Sequence, residues 1–148
     1  MRVRFQIQLA FLLSVVGLLF LSTPAAAQSK SISVEVRSIA ATSKGSHFDP
    51  KLNDLKKRLT KAFAGYSNFR QVASTQFQLA PNAEKTAELP DGNQMTVTFH
   101  GYSGKFIRLG FGIAGKLNTI LRATPGGTFF QAGLRYGDGI LILAIRVE

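Results

Sequence analysis

The stretch RLGFGIAGK, residues 108–116, sets Gly110, Gly112 and Gly115 at GxGxxG spacing. That spacing binds a dinucleotide when the glycines join a strand to a helix whose N-terminus receives the pyrophosphate. Here the apolar alternation runs straight through them. Ile107, Leu109, Phe111 and Ile113 keep a period of two, which puts Arg108, Gly110 and Gly112 together on the opposite face. Two features favour the nucleotide loop: KLNTILRAT has the length of a two-turn helix, and Asp138 lies about where a ribose-binding acid would follow. The helix, however, would stop within about nine residues at Pro125, too short for a parallel crossover. The stretch therefore predicts a β-strand that contains glycines, and no cofactor. Such glycines let a bulky neighbour such as a Phe lie across the backbone, or let the sheet coil sharply.

On the N-terminal side of this stretch, QMTVTFH sets Met95, Val97 and Phe99 on one face and Thr96, Thr98 and His100 on the other. Turn chemistry brackets these runs at Pro90-Asp91-Gly92-Asn93, at Tyr102 to Gly104, at Pro125-Gly126-Gly127 and at Gly137-Asp138-Gly139. Runs of about nine to twelve residues between turns predict antiparallel meanders. NFRQVASTQFQL alternates Phe69, Gln71, Ala73, Thr75, Phe77 and Leu79, and a short edge strand is expected near 85–89. The final run, Ile140 to Ile145, is apolar at almost every position, as a central strand covered on both faces requires.

The N-terminal half supplies one strand, SISVEVRSI, and one helix. Asp49-Pro50 places a capping acid before a proline at the first helical position, where the missing N–H costs nothing. Leu52, Leu55, Leu59, Ala62 and Phe63 then fall within one arc, with Asp54, Lys57, Arg58 and Lys61 opposite, until Gly65. Asp54 is spaced to pair with Arg58 at i,i+4. The expected fold is α+β: a predominantly antiparallel sheet of about seven or eight strands forming a β-sandwich or partial barrel, with one amphipathic helix after the first strand.

The leader MRVRFQIQLAFLLSVVGLLFLSTPAAAQ joins Arg2 and Arg4 to an apolar run and a small-residue site at Ala25-Ala26-Ala27. This is the layout of a signal peptide over residues 1–27, its apolar run spanning only about 20 Å as helix. A single β-rich domain over 28–148 and a periplasmic or secreted location follow as expectations. The chain has no cysteine, which excludes disulfides and thiolate metal sites. Without residues 1–27, sixteen basic residues stand against eight acids, a formal charge of +8. Outside the cytoplasm that charge points to an anionic envelope component or another envelope protein, with peripheral membrane contact and not nucleic acid.

Candidate binding residues are Lys57, Arg58 and Lys61 on the helix, with Lys51 and Lys56 at its margins. Phe129 joins them as an apolar contact point, because adjacent Phe129 and Phe130 point to opposite faces and one of the two is buried elsewhere, covered by the helix or exposed for a partner. Catalytic chemistry has weaker support. HGYSGK brings His100, Ser103 and Lys105 together, yet Lys105 stands where a GxSxG elbow needs glycine and a strand follows instead of a helix. His47 and Asp49 offer two ligands, short of a metal site, and Asp49 already caps a helix. No metal and no catalytic residue is assigned. A small secreted hydrolase using His47, His100 or Ser103 is the alternative to a non-enzymatic binding or assembly role.

In general layout, the leader, DPKLNDLKKRL, YSNFR, LPDGNQMTVTF and GTFFQAGLRYGDGILILAI together resemble small exported bacterial proteins of unknown function. The resemblance implies a bacterial envelope address and brings no activity or functional residue with it.

Overall fold

The computed structural model describes residues 30–148, so the expected leader lies outside the described residues. In chain order the described strands are β1 (Ile32–Thr42), β2 (His47–Phe48), β3 (Asn68–Leu79), β4 (Glu84–Glu88), β5 (Gln94–Ser103), β6 (Phe106–Ile113), β7 (Leu117–Ala123), β8 (Thr128–Tyr136) and β9 (Gly139–Val147). A 3-10 segment, Pro50–Leu55, runs into the helix α1, Lys56–Ala62, between β2 and β3. The strands form a five-stranded sheet, β2-β3-β1-β9-β8, and a four-stranded sheet, β4-β5-β6-β7. Every pairing is antiparallel except that of β2 with β3. The molecule is thus mostly β, with two sheets and one short helix. The strand beyond the expected seven or eight is β2, a two-residue element in the connection between β1 and the 3-10 segment.

The glycine stretch is a strand. Ile107, Leu109, Phe111 and Ile113 are all buried, and β6 pairs in unbroken register with β7 from Ile107 opposite Ala123 to Ile113 opposite Leu117. KLNTILRAT therefore supplies a strand and not a helix. Gly115 lies beyond β6 in the turn to β7, at φ 68°, a conformation that L side chains rarely adopt.

Two apolar clusters lie on either side of the five-stranded sheet. The larger joins Val34, Val36, Leu141, Leu143 and Ile145 to Val97, Phe99, Leu109 and Phe111 of the other sheet. Its smaller counterpart joins Ile39, Ala41, Ile142 and Ala144 to Leu52, Leu55 and Leu59 under the helix. Strand β9 feeds both, since its alternate residues point to opposite sides, and this explains why its sequence is apolar without a break. It lies between β1 and β8, in the interior position expected of it.

The alternation of β3 hides a change of face. Ser38 pairs with Ala73 while Ile39 pairs with Gln71, so Val72 is an extra residue in the ladder. Phe77 and Leu79 consequently pack between the sheets, whereas Phe69, at the same parity, packs under the helix. A similar shift lies between Gln131 and Leu134 in β8.

Helix docking follows the expected apolar arc in part. Leu52, Leu55 and Leu59 are buried and Phe63 is half-buried, but Ala62 is exposed. Asp49 caps the segment as expected, its Oδ1 accepting the Lys51 N–H at 3.0 Å. Asp54 does not pair with Arg58. Instead Arg37 of β1 donates to both its oxygens, Nη1 to Oδ1 at 3.0 Å and Nη2 to Oδ2 at 2.6 Å. Arg37 lies on the helix side of β1, and a partly buried guanidinium needs its partner close, which outweighs an exposed i,i+4 contact.

Candidate functional site

The outer face of the four-stranded sheet follows from the burial of the inner one. Because Met95, Val97 and Phe99 of β5 and the apolar residues of β6 point inward, Thr96, Thr98, Gly110 and Gly112 point out. Register then builds two rows across the sheet. Thr98, Gly110 and Ile120 lie side by side in one, and Thr96, Gly112 and Asn118 in the next. On β4, Glu84 opposes Thr98 and Thr86 opposes Thr96. With no side chains at the centre of either row, a groove of about 490 Å³ opens over β6, bounded by Thr96, Thr98 and His100 on one side and Asn118 and Ile120 on the other.

The two glycines have different surroundings. A Cβ on Gly110 would lie 2.7 Å from Nε2 of His100, so the imidazole lies over that backbone. The ring covering the glycine is therefore a histidine of the adjacent strand and not a Phe. At Gly112 the nearest atom to an added Cβ is the Leu117 carbonyl oxygen at 3.6 Å, an ordinary contact. Nothing within the described residues demands glycine there. Glycine inside a strand costs about 0.5–1 kcal/mol relative to alanine, and a common reason for it is the close approach of a ligand or another backbone.

The lining is hydroxyl, amide, imidazole and carboxylate. Thr98 Oγ1 donates to Glu84 Oε2 at 3.0 Å, and the Thr86 and Thr96 hydroxyls lie 3.4 Å apart. Ile120, 58% exposed, adds an apolar wall. Such a surface can donate to and accept from a polyhydroxylated chain while leaving a flat strip for its apolar face.

The residues singled out from sequence lie elsewhere. Lys57, Arg58 and Lys61 are exposed on α1. Arg58 is engaged in packing: its guanidinium stands 5.0 Å from the Phe130 ring centroid and donates to the Thr128 carbonyl. Lys56 stands over Phe48, 5.3 Å from the ring centroid. Phe129 is half-buried against the cluster between the sheets, and Phe130 packs on the helix side. His47 belongs to β2 of the five-stranded sheet, while His100 and Ser103 belong to β5 of the other. Asp49 is held below the usual carboxylate range, first by the Lys51 N–H, and its Oδ2 accepts the Gln71 N–H at 3.1 Å. Among the described residues no group of three or more His, Asp or Glu is arranged to hold a metal.

Thr96, Thr98, Asn118 and Ile120 were not singled out as a site from sequence. The alternation puts the threonines and glycines on matching faces of two strands, but only the β6–β7 register adds Asn118 and Ile120. Among the described residues no helix is long and apolar enough to cross a membrane. Comparison with protein-family models, with curated proteins and with solved structures gives no match for this chain.

Proposed function

We propose that this chain is a non-enzymatic binding protein of the bacterial envelope, folded as a β-sandwich, that seats a carbohydrate chain in the glycine-floored groove. The observation that carries the reading is Gly112, an outward strand position kept free of a side chain although a Cβ would fit. Hydroxyl and amide groups along both walls match the donors and acceptors of a sugar, and Ile120 matches its apolar face. The leader is what supports export, and the basic charge is what supports an anionic counterpart. Lys57 and Lys61 remain available for peripheral contact with an anionic surface. A hydrolase using His47, His100 or Ser103 has less support, because His47 lies in the other sheet and Glu84, the carboxylate in the groove lining, is engaged by Thr98.

The test is a titration of the isotope-labelled protein with solubilised envelope polysaccharide, following backbone amides. Shifts should centre on Gly110, Gly112, Thr96 and Asn118 and vanish in a folded Gly112→Val variant. Shifts confined to α1, or binding that survives Gly112→Val, would overturn the reading.

A further inference from the structure

From residue 92 to residue 137 the sequence holds Lys105, Arg108, Lys116, Arg122 and Arg135 and no acid. This segment forms β5 to β8. Within it Arg108 and Arg122 are directly opposite each other on β6 and β7, both exposed, on the outer face of the four-stranded sheet. Directly opposed side chains on neighbouring strands have Cβ atoms about 5 Å apart, and like charges there repel. None of the ion pairs among the described residues relieves them. A third cation is added at the same end, where Lys105 Nζ lies 5.5 Å from the ring centroid of Phe106, two residues from Arg108 along β6.

The acids of this sheet, Glu84 and Glu88, are both on β4 at the far edge. Two strand spacings separate β4 from Arg108 on β6 and three separate it from Arg122 on β7, about 10 Å and about 14 Å, both beyond a Debye length of about 8 Å at physiological salt. The acidic edge therefore does little to neutralise the basic one. Arg108 precedes Gly110 by two residues on the same face, so the cationic group stands at one end of the groove.

We propose that Arg108 and Arg122, supported by Lys105, clasp an oxyanion, the phosphate or carboxylate of an acidic ligand whose chain continues along the groove. This rests on the groove reading for the chain and not for the anion. Forked guanidinium donors from two strands suit a tetrahedral or planar oxyanion, and the bound charge cancels the repulsion between them.

The experiment titrates inorganic phosphate at low ionic strength into the full chain, following arginine side-chain NMR signals. Arg108 and Arg122 signals should move, and an Arg108→Gln/Arg122→Gln variant should bind at least about tenfold more weakly. Lys57→Gln/Lys61→Gln should bind within about twofold of the parent, and Gly112→Val should leave phosphate binding intact. The arginine variant should melt no lower than the parent, since it loses a repulsion. Oligogalacturonate and phosphatidylglycerol vesicles then separate a polymer acid from a lipid headgroup as the source. A response to either that disappears with the two arginines supports the clasp. Phosphate that leaves both arginine signals unmoved, or binding unchanged in the double variant, overturns it. Polymer bound in the groove regardless of the arginines would sink the clasp alone, whereas phosphate bound at the arginines without any polymer response would sink the groove reading alone.

Discussion

At Gly139 an added Cβ would lie 2.0 Å from the carbonyl oxygen of Ala41, a backbone atom of the paired strand that cannot move without opening the β1–β9 ladder. Gly139→Ala is expected to cost about 3 kcal/mol, at the upper end of ordinary overpacking. Gly112→Ala, whose Cβ meets nothing closer than 3.6 Å, is expected to be neutral or to gain up to about 1 kcal/mol from reduced chain entropy and better strand propensity. Urea unfolding of the two variants separates these outcomes, and a destabilised Gly112→Ala would mean that the glycine serves the fold. Gln71 allows a second single-residue test. Its Oε1 is buried without a hydrogen-bond partner, so Gln71→Met should hold or raise the urea midpoint, because it removes an unpaid desolvation. Sequence showed the glycines at 110 and 112 sharing a face with Arg108, since period two is visible in the letters. What covers Gly110 was not visible, because the imidazole comes from the neighbouring strand.

The elements show where local pattern stops being informative. The spacing of Asp49, Pro50, Leu52, Leu55 and Leu59 marks the helical segment because cap and apolar arc are both written within a few residues. The tie that holds it to the sheet spans 17 positions, from Arg37 to Asp54, and depends on the packing of β1 against the segment. The bulge at Val72 is equally silent: the apolar residues keep their parity in the sequence while the strand changes the face it presents. The Arg37–Asp54 pair has a measurable pH signature. The hydrogen bonds from Arg37 hold the Asp54 carboxyl below its usual range and hold the guanidinium above its own. Because the folded carboxyl titrates below the unfolded one, the pair stabilises above about pH 4 and its contribution fades as pH falls through the lowered folded value. Arg37 is 10% exposed and Asp54 51%, so screening limits the effect, and Asp54→Asn should cost about 1–2 kcal/mol near neutrality. Thermal melts should show parent and variant converging as pH approaches about 2. An undiminished gap at that pH would assign the loss to something other than this carboxylate.

Across the whole molecule, the two apolar clusters share strands instead of dividing the chain between them. Strand β9 sends Leu141, Leu143, Ile145 and Val147 toward the other sheet and Ile142 and Ala144 toward the helix. Neither cluster can come apart without disturbing the same backbone ladder, so unfolding should be a single event. Leu143→Ala and Ile142→Ala, one on each side of β9, should each cost about 2–5 kcal/mol and should shift one common transition. The chain carries its own reporters, with three tyrosines and no tryptophan. Tyr66 packs against the helix-side cluster and Tyr136 against the cluster between the sheets. In Tyr66→Phe and Tyr136→Phe variants, each made with Tyr102→Phe, fluorescence reports one cluster at a time and should give the same urea midpoint as far-ultraviolet circular dichroism. Ile142→Ala should then move the Tyr136 transition as far as the Tyr66 one. A helix-side transition that separates from the inter-sheet one would show that the two cores melt independently, and that the continuity of β9 does not couple them.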